Sequence, residues 1–404
     1  MDFLSKDLFV ISNDRKWPVK TVYEKIQSLE EQLKNYSIIG VDVEQLTKIE
    51  SFAIFLLCLK SAKTFVPLDA NSLTAYTKFL KIDVLISNDP FPKVEILQSC
   101  SKTSKTIREL TSDVEYQSSF NYAMKTSSTS GSHDRLVLTN ISSIESNIKH
   151  LLRLFDIKNR PEIISQLTPF TFDPVMVELF LFLHCPQNSC LLLIEQDKIF
   201  KQNLPRLLEN NRVSIIPQIT PSLYTIAPSR KTTFLTNRHL KHLVFGGESF
   251  IPENTFPQDL ITKYYGKTSL TIWNMYGLTE LSCWTSAKKL DLEDLTSKRS
   301  LSIGKTFPDT EIKIENEILL VKSERRKNII LDYAEGKFPN INQGVLNILT
   351  TDNWVDTQDS VEKINDEIFL NGRADDTRKV FSKRVNLIKI ERKLTEIFDD
   401  TADF

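Results

Sequence analysis

Short apolar runs alternate with longer stretches of helical period along most of this chain. Residues 37–43 (SIIGVDV), 64–68 (TFVPL) and 83–87 (DVLIS) read as strands, and an amphipathic helix is expected over 45–60. Residues 141–155 predict a second helix, with Ile148, Leu151, Leu152 and Phe155 on one face. The run CLLLIE at 190–195 has the unbroken apolar character of a strand buried on both faces, and 213–219 and 243–245 repeat it. Strands and helices alternating at this spacing predict an α/β fold, with largely parallel sheets covered by helices. The tail differs. Residues 310–321 alternate polar and apolar about a turn at Asn316, which predicts an antiparallel hairpin. The charged stretch 322–328 reads as a solvated turn, 361–370 as a further hairpin and 386–398 as a helix; no repeat or low-complexity linker appears.

Composition narrows the function classes. At 404 residues, 41% hydrophobic and 25% charged, the chain can bury the cores of two or three domains. Lys+Arg total 51 against 52 Asp+Glu, so no net field draws it to nucleic acid or an anionic membrane. The five cysteines (Cys58, Cys100, Cys185, Cys190, Cys283) form no CxxC pair, as expected of reduced thiols in a cytoplasmic protein. The first residues carry acids and no sustained apolar stretch, unlike a secretory signal. The longest greasy run, residues 52–59, is too short to span a bilayer.

Four segments carry candidate chemistry. Thr126, Ser127, Ser128, Thr129, Ser130 and Gly131 (TSSTSG) lie between two expected strands, where hydroxyls and backbone N–H groups can converge on phosphate oxygens; such clusters are also plain loops. In TPFTFDP (168–174), Asp173 precedes Pro174 and reads at least as readily as a helix N-cap as anything else. HLVFGGES (242–249) ends an expected buried strand with Gly246 and Gly247, which permit close backbone approach to a ligand or simply a tight turn. WNMYGLTE (273–280) is the strongest. There Tyr276 offers a flat face for a purine, Gly277 lets the chain turn, Thr279 adds a hydroxyl and Glu280 an oxygen ligand for Mg2+.

TSSTSG, TFDP, GGES, NMYGLTE, IGKTFP (303–308), the step at 350–352 and NGRADD (371–376) follow one another in the order of the AMP-binding, adenylate-forming superfamily, which this chain resembles from about residue 37 to residue 394. The resemblance implies a large nucleotide-binding domain over 1–372, with parallel sheets and a small β-barrel-like part, and a truncated C-terminal lid over 373–404. It implies ATP and Mg2+ as cofactors and a small carboxylic or amino acid, β-alanine among the candidates, as substrate. CoA or a phosphopantetheine arm on a carrier protein would then be the acceptor. By similarity, residues 126–131 cradle the β- and γ-phosphates, and Gly247, Glu248 and Asn274 border the adenine and acyl pocket with Tyr276 stacked on the base. Thr279 contacts the α-phosphate, Glu280 the Mg2+, and Asp352 and Arg373 the ribose. Phe172, Asp173, Gly246 and Gly247 border the acid, with Asp173 pairing a substrate ammonium, and Asp375 is the hinge of the lid.

The chain departs from the family pattern at several of these places. Ser128 replaces a loop glycine, and His133-Asp134 a Pro-Lys pair, with Arg135 the nearest replacement cation. Thr351 stands for the glycine of the Thr-Gly-Asp step and Ser382 for a glycine after the hinge, and no equivalent of the lid lysine is found. Three readings therefore stay open: an active ligase, a nucleotide-binding protein without turnover, and a remnant that binds nothing.

Overall fold

The computed structural model describes residues 2–69, 84–87, 93–96, 121–127, 133–195, 197, 199, 203–226, 234–323, 328–334, 346–348, 354–374, 377–380 and 383–386. Two large sheets dominate. In the eight-stranded sheet, Ile38–Asp42, Thr64–Leu68, Val84–Ser87 and Tyr122–Ser127 run parallel. In the nine-stranded sheet the parallel core is Phe9–Ser12, Cys190–Leu193, Ile163–Gln166, Ile215–Ile219, His242–Gly246 and Thr271–Leu278. Antiparallel strands flank both parallel blocks. Ile38–Asp42, Thr64–Leu68 and Ile215–Ile219 are buried at every position, as strands covered on both faces must be.

Between the sheets lie the Lys48–Lys60 and Pro174–His184 helices. Phe55 meets Phe65 of one sheet edge-on and Phe180 of the other helix in the same way, at centroid distances of 5.6 and 5.5 Å, and Phe180 also packs on Tyr122. The first helix is therefore not the amphipathic element expected over 45–60. It starts at Lys48, after a capping box between Thr47 and Glu50, and residues 51–58 are buried all round. A helix sandwiched between two sheets has no solvent face to keep polar. The Ile141–Leu154 helix matches its expected span, with Asn140 as N-cap.

The tail forms an antiparallel four-stranded sheet, Thr310–Glu315, Ile318–Ser323, Val355–Ile364 and Glu367–Arg373. Asn316-Glu317 and Asn365-Asp366 all have positive φ, the conformation that two-residue hairpin turns demand. The second hairpin is longer than the 361–370 expected. The supposed solvated turn at 322–328 is partly buried instead. Lys322 and Ser323 finish a strand, and Asn328 sits in the interior with its amide donating to the Glu280 carbonyl and the Ser282 hydroxyl; 324–327 lie outside the described residues. Beyond Arg373 come the paired strands Thr377–Val380 and Lys383–Asn386. The helix expected over 386–398 lies outside the described residues except at Asn386, which closes a strand. Among the described residues no helix is long and apolar enough to cross a membrane, and burial pushes the Cys58 and Cys185 thiols up to about 12.

His242, at the head of the His242–Gly246 strand, is held as neutral imidazole. One ring nitrogen lies 3.1 Å from the Phe155 carbonyl, and the other accepts from Trp273 Nε1 at 3.3 Å. Burial lowers its pKa from 6.5 to about 4. Between those values the unfolded chain takes up a proton that the folded chain refuses, so stability present above pH 6.5 is lost as the pH falls toward 4. Melting temperatures measured across that range should fall less steeply for His242→Gln than for the unaltered chain; equal slopes would assign the acid sensitivity elsewhere.

Candidate active site

Two neighbouring parallel strands build the site. In register, Phe245 faces Asn274 and Gly246 faces Met275, so His242–Gly246 stops beside Met275 while its neighbour runs on to Leu278, at the carboxyl edge of the sheet, where open α/β sheets bind ligands. A cleft opens there. Its walls are residues 247–250, 274–278, 300, 301 and 303, closed on the far side by Asp359, Leu370, Gly372 and Arg373 of the four-stranded sheet. Gly247 has φ +80°, and a Cβ on it would stand 3.1 Å from the Phe172 ring. A Cβ on Gly246 would meet the Trp284 ring at 2.6 Å. Gly246 is thus required by close approach, and Gly247 by its left-handed backbone. Glu248 is fixed at the wall by the Ser222 N–H and hydroxyl (3.2 and 2.6 Å), and the Asn274 amide donates to the Ser302 carbonyl at 2.9 Å.

The far side of the cleft is electrostatic. Tyr276 Oη donates to Asp359 Oδ2 at 2.6 Å, and Arg373 Nη1 donates to Oδ1 at 2.9 Å. Burial, then the Asp359 charge, pushes the Tyr276 hydroxyl well above its ordinary range, so it keeps its proton and stays a donor. Arg373 also donates from Nη2 to Gln358 Oε1 at 3.1 Å. Asp359 was not among the residues singled out in the sequence, and Asp352 lies outside the described residues. One signal in the sequence pointed to it, and the register completes it. Thr357-Gln358-Asp359 repeats the Thr-x-Asp pattern of 350–352, and Asp359 faces Arg373 directly across the antiparallel ladder. Gln358 between them has φ +57°, the left-handed conformation that glycine adopts most cheaply. That kink is braced by Thr357, whose hydroxyl donates to the Leu319 carbonyl and accepts from the Asp359 N–H.

Thr279 and Glu280 follow Tyr276 on a short 3-10 turn, and neither lines the cleft. A Cβ on Gly277 would fall 1.7 Å from the Cys283 carbonyl, and Ser282 and Cys283 both have positive φ. The segment is strained and tightly folded, as functional turns often are. Glu280 is nearly buried, and among the described residues no group of three or more His, Cys, Asp or Glu side chains could hold a metal ion unaided.

Asp173 does occupy the N-cap position of the Pro174–His184 helix, but its side chain makes no capping hydrogen bond. It is buried, and close enough to Tyr122 for its charge to add to burial in raising that hydroxyl's pKa. The Phe172 ring lies against Gly247 of the cleft wall. Thr126 and Ser127 end a strand, with Arg135 and Asp134 opposite them in register. Ser128, Thr129, Ser130, Gly131, Asp375 and Ser382 lie outside the described residues. Gly247, Glu248, Asn274, Tyr276, Gly277 and Arg373 are therefore gathered at one cleft, whereas Gly246, Asp173, Thr279 and Glu280 are not among the residues that line it.

Comparison with known proteins agrees with this architecture. A family model described as AMP-binding enzyme matches residues 45–321. The beta-alanine-activating enzyme of Mus musculus is 28% identical over 307 residues, covering 74% of this chain and 27% of that protein. Its Danio rerio counterpart is 28% identical, covering 70% and 24%. The chain thus spans about a quarter of the length of these curated relatives. Among solved structures, the Vibrio cholerae adenylation domain AlmE, in complex with glycyl-adenosine-5'-phosphate, superposes with a TM-score of 0.71 at 15% identity, over 98% of this chain and 82% of that one. An artificially fused adenylation-PCP didomain from Klebsiella oxytoca gives 0.66 at 17% identity, over 96% and 80%. With the family model spanning more than half its length and its strands meeting in the same adenylation fold, this chain belongs to the AMP-binding enzyme family.

Proposed function

We propose that this chain activates a small carboxylic or amino acid, with β-alanine the first candidate, as an acyl adenylate. The observation that carries the reading is the Tyr276–Asp359–Arg373 group at the carboxyl end of two parallel strands. A purine would stack on the Tyr276 ring, and Asp359, rather than Asp352, would accept the ribose hydroxyls with Arg373 beside it. What supports Asp359 is its place in the cleft and the left-handed Gln358, a conformation that suits the glycine position of a Thr-Gly-Asp step. Residues 126–131 would hold the β- and γ-phosphates, and Thr279 the α-phosphate.

The acid's carboxylate oxygen bonds to the α-phosphorus, the bridging P–O bond breaks, and pyrophosphate leaves with the electron pair. Both reactants are anions, so the chain's task is positioning and charge neutralisation. Mg2+ fits a lone carboxylate such as Glu280, since it takes one or two protein carboxylates and completes its shell with phosphates and water. When bound, it would offset the phosphate charge. Asp173, in a nearly dry setting, would pair with a substrate ammonium and select amino acids over fatty acids. Residues 1–372 would form the nucleotide-binding domain and 373–404 the start of a lid hinged at Asp375, which would then present the acyl group to CoA or to a carrier-borne phosphopantetheine.

A second reading, nucleotide binding without turnover, is favoured by one observation. Asp134 stands opposite Ser127 in register, an acid beside the segment assigned to phosphate. Isotope exchange between pyrophosphate and ATP separates the two. With β-alanine and other short amino acids, exchange should exceed that of Glu280→Gln by about tenfold or more. Absence of exchange, with ATP still raising the melting temperature, would favour the binder; absence of both would leave a protein that takes no nucleotide. For the ribose assignment, Asp359→Asn should weaken nucleotide binding in calorimetry by about 1.5–3 kcal/mol, the usual worth of a hydrogen bond to a charged group. Asp352→Asn should change it by less than about 0.5 kcal/mol. The reverse order would return the role to Asp352.

A further inference from the structure

Away from the cleft, the molecule buries two opposite charges that the mechanism above does not use. Lys48 begins the Lys48–Lys60 helix, and Glu178 sits in the Pro174–His184 helix with no exposed surface. They act on the same short piece of backbone. Lys48 Nζ donates to the carbonyls of Gln166 and Leu167 at 3.3 and 3.4 Å. The Glu178 carboxylate accepts from the N–H groups of Leu167 and Thr168 at 3.1 and 3.3 Å. It also takes the Thr168 hydroxyl at 2.9 Å and the Gln166 side-chain amide at 3.0 Å. The Gln166 carbonyl and Leu167 N–H belong to one peptide group, the Leu167 carbonyl and Thr168 N–H to the next. Two consecutive peptide dipoles therefore each have an ammonium at the oxygen end and a carboxylate at the N–H end.

Stability gives no reason to keep these charges. A buried ion pair is often no better than apolar residues of the same size. Burial pushes Glu178 up and Lys48 down, against the pull of each other's charge; Glu195, which accepts the Lys48 backbone N–H at 3.0 Å, adds a second carboxylate on the lysine's side. Location gives the reason. The clamped peptides end the Ile163–Gln166 strand, and the chain runs from them through Phe170, packed edge-on against Phe65, to Phe172 and Asp173. Phe172 in turn abuts Gly247 on the cleft wall.

We propose that Lys48 and Glu178 are positioning residues for recognition of the acid: they hold the start of the 167–173 segment from both ends of its peptide dipoles and so set where Phe172 and Asp173 face a small amino acid. This rests on the adenylating reading above. The test measures binding of AMP and of β-alanyl sulfamoyl adenosine, an unreactive adenylate mimic, by calorimetry to the unaltered chain, Lys48→Met, Glu178→Gln and the double variant. Each single variant should lose about tenfold or more in affinity for the mimic, as small misplacements of a binding wall do, with AMP affinity held within about twofold. The double variant, free of an uncompensated buried charge, should keep its melting temperature near that of the unaltered chain and still bind the mimic weakly. If a single variant fails to fold, the double variant carries the test. Undiminished binding of the mimic, or equal loss for AMP and mimic, would overturn the clamp alone. An unaltered chain that binds AMP but not the mimic would overturn the amino-acid reading, and the clamp with it.

Discussion

Everything in this molecule hangs on two helices that have no wet side. Lys48–Lys60 and Pro174–His184 fill the space between the two large sheets, and the Phe52, Phe55, Phe180 and Phe182 rings knit them together. Close-packed interiors transmit displacement instead of absorbing it. The spacing of the sheets, and with it the setting of strand ends around the cleft, is fixed by side chains that no ligand would touch. Of the polar groups admitted to this layer, Lys48 bonds to the Gln166 and Leu167 carbonyls, and Glu178 to the Gln166 amide and the Thr168 hydroxyl, as buried charges must find partners.

The cleft sits where that rigid layer meets a lighter one. His242–Gly246 and Thr271–Leu278 belong to the parallel core, whereas Asp359 and Arg373 come from the antiparallel tail. The tail sheet is tied back by Lys288, which bridges Asp294 and Glu367, and by the Ser302 hydroxyl on Glu367. Beneath these polar ties, Tyr276, Leu278, Leu281 and Ile303 share a buried apolar cluster with Leu319, Val321, Val355, Val361 and Ile368, so the cleft lies over a joint that is both packed and charged.

Much of this was legible in the residues. Buried parallel strands reveal themselves as continuous apolar runs, and the spans at 37–43, 64–68, 83–87 and 190–195 each contain one. The hairpin about Asn316 was legible because Asn tolerates the left-handed conformation its turn needs. The character of the 48–60 helix was not, since period alone cannot tell a half-buried helix from one enclosed on both sides. Asp359 escaped for a different reason. Two Thr-x-Asp steps lie seven residues apart, and only the strand register reveals which one faces an arginine. Asp173 was read correctly as to place, yet the capping hydrogen bond that pattern implied is missing.

The strand order of the nine-stranded sheet has a consequence for synthesis. Phe9–Ser12 pairs with Cys190–Leu193, so this strand, once synthesised, waits for a neighbour made far later. Until then its inner edge is open and the apolar residues of 51–58 lack the layer that covers them. Such long-delayed pairing favours slow, chaperone-dependent maturation over folding in step with translation.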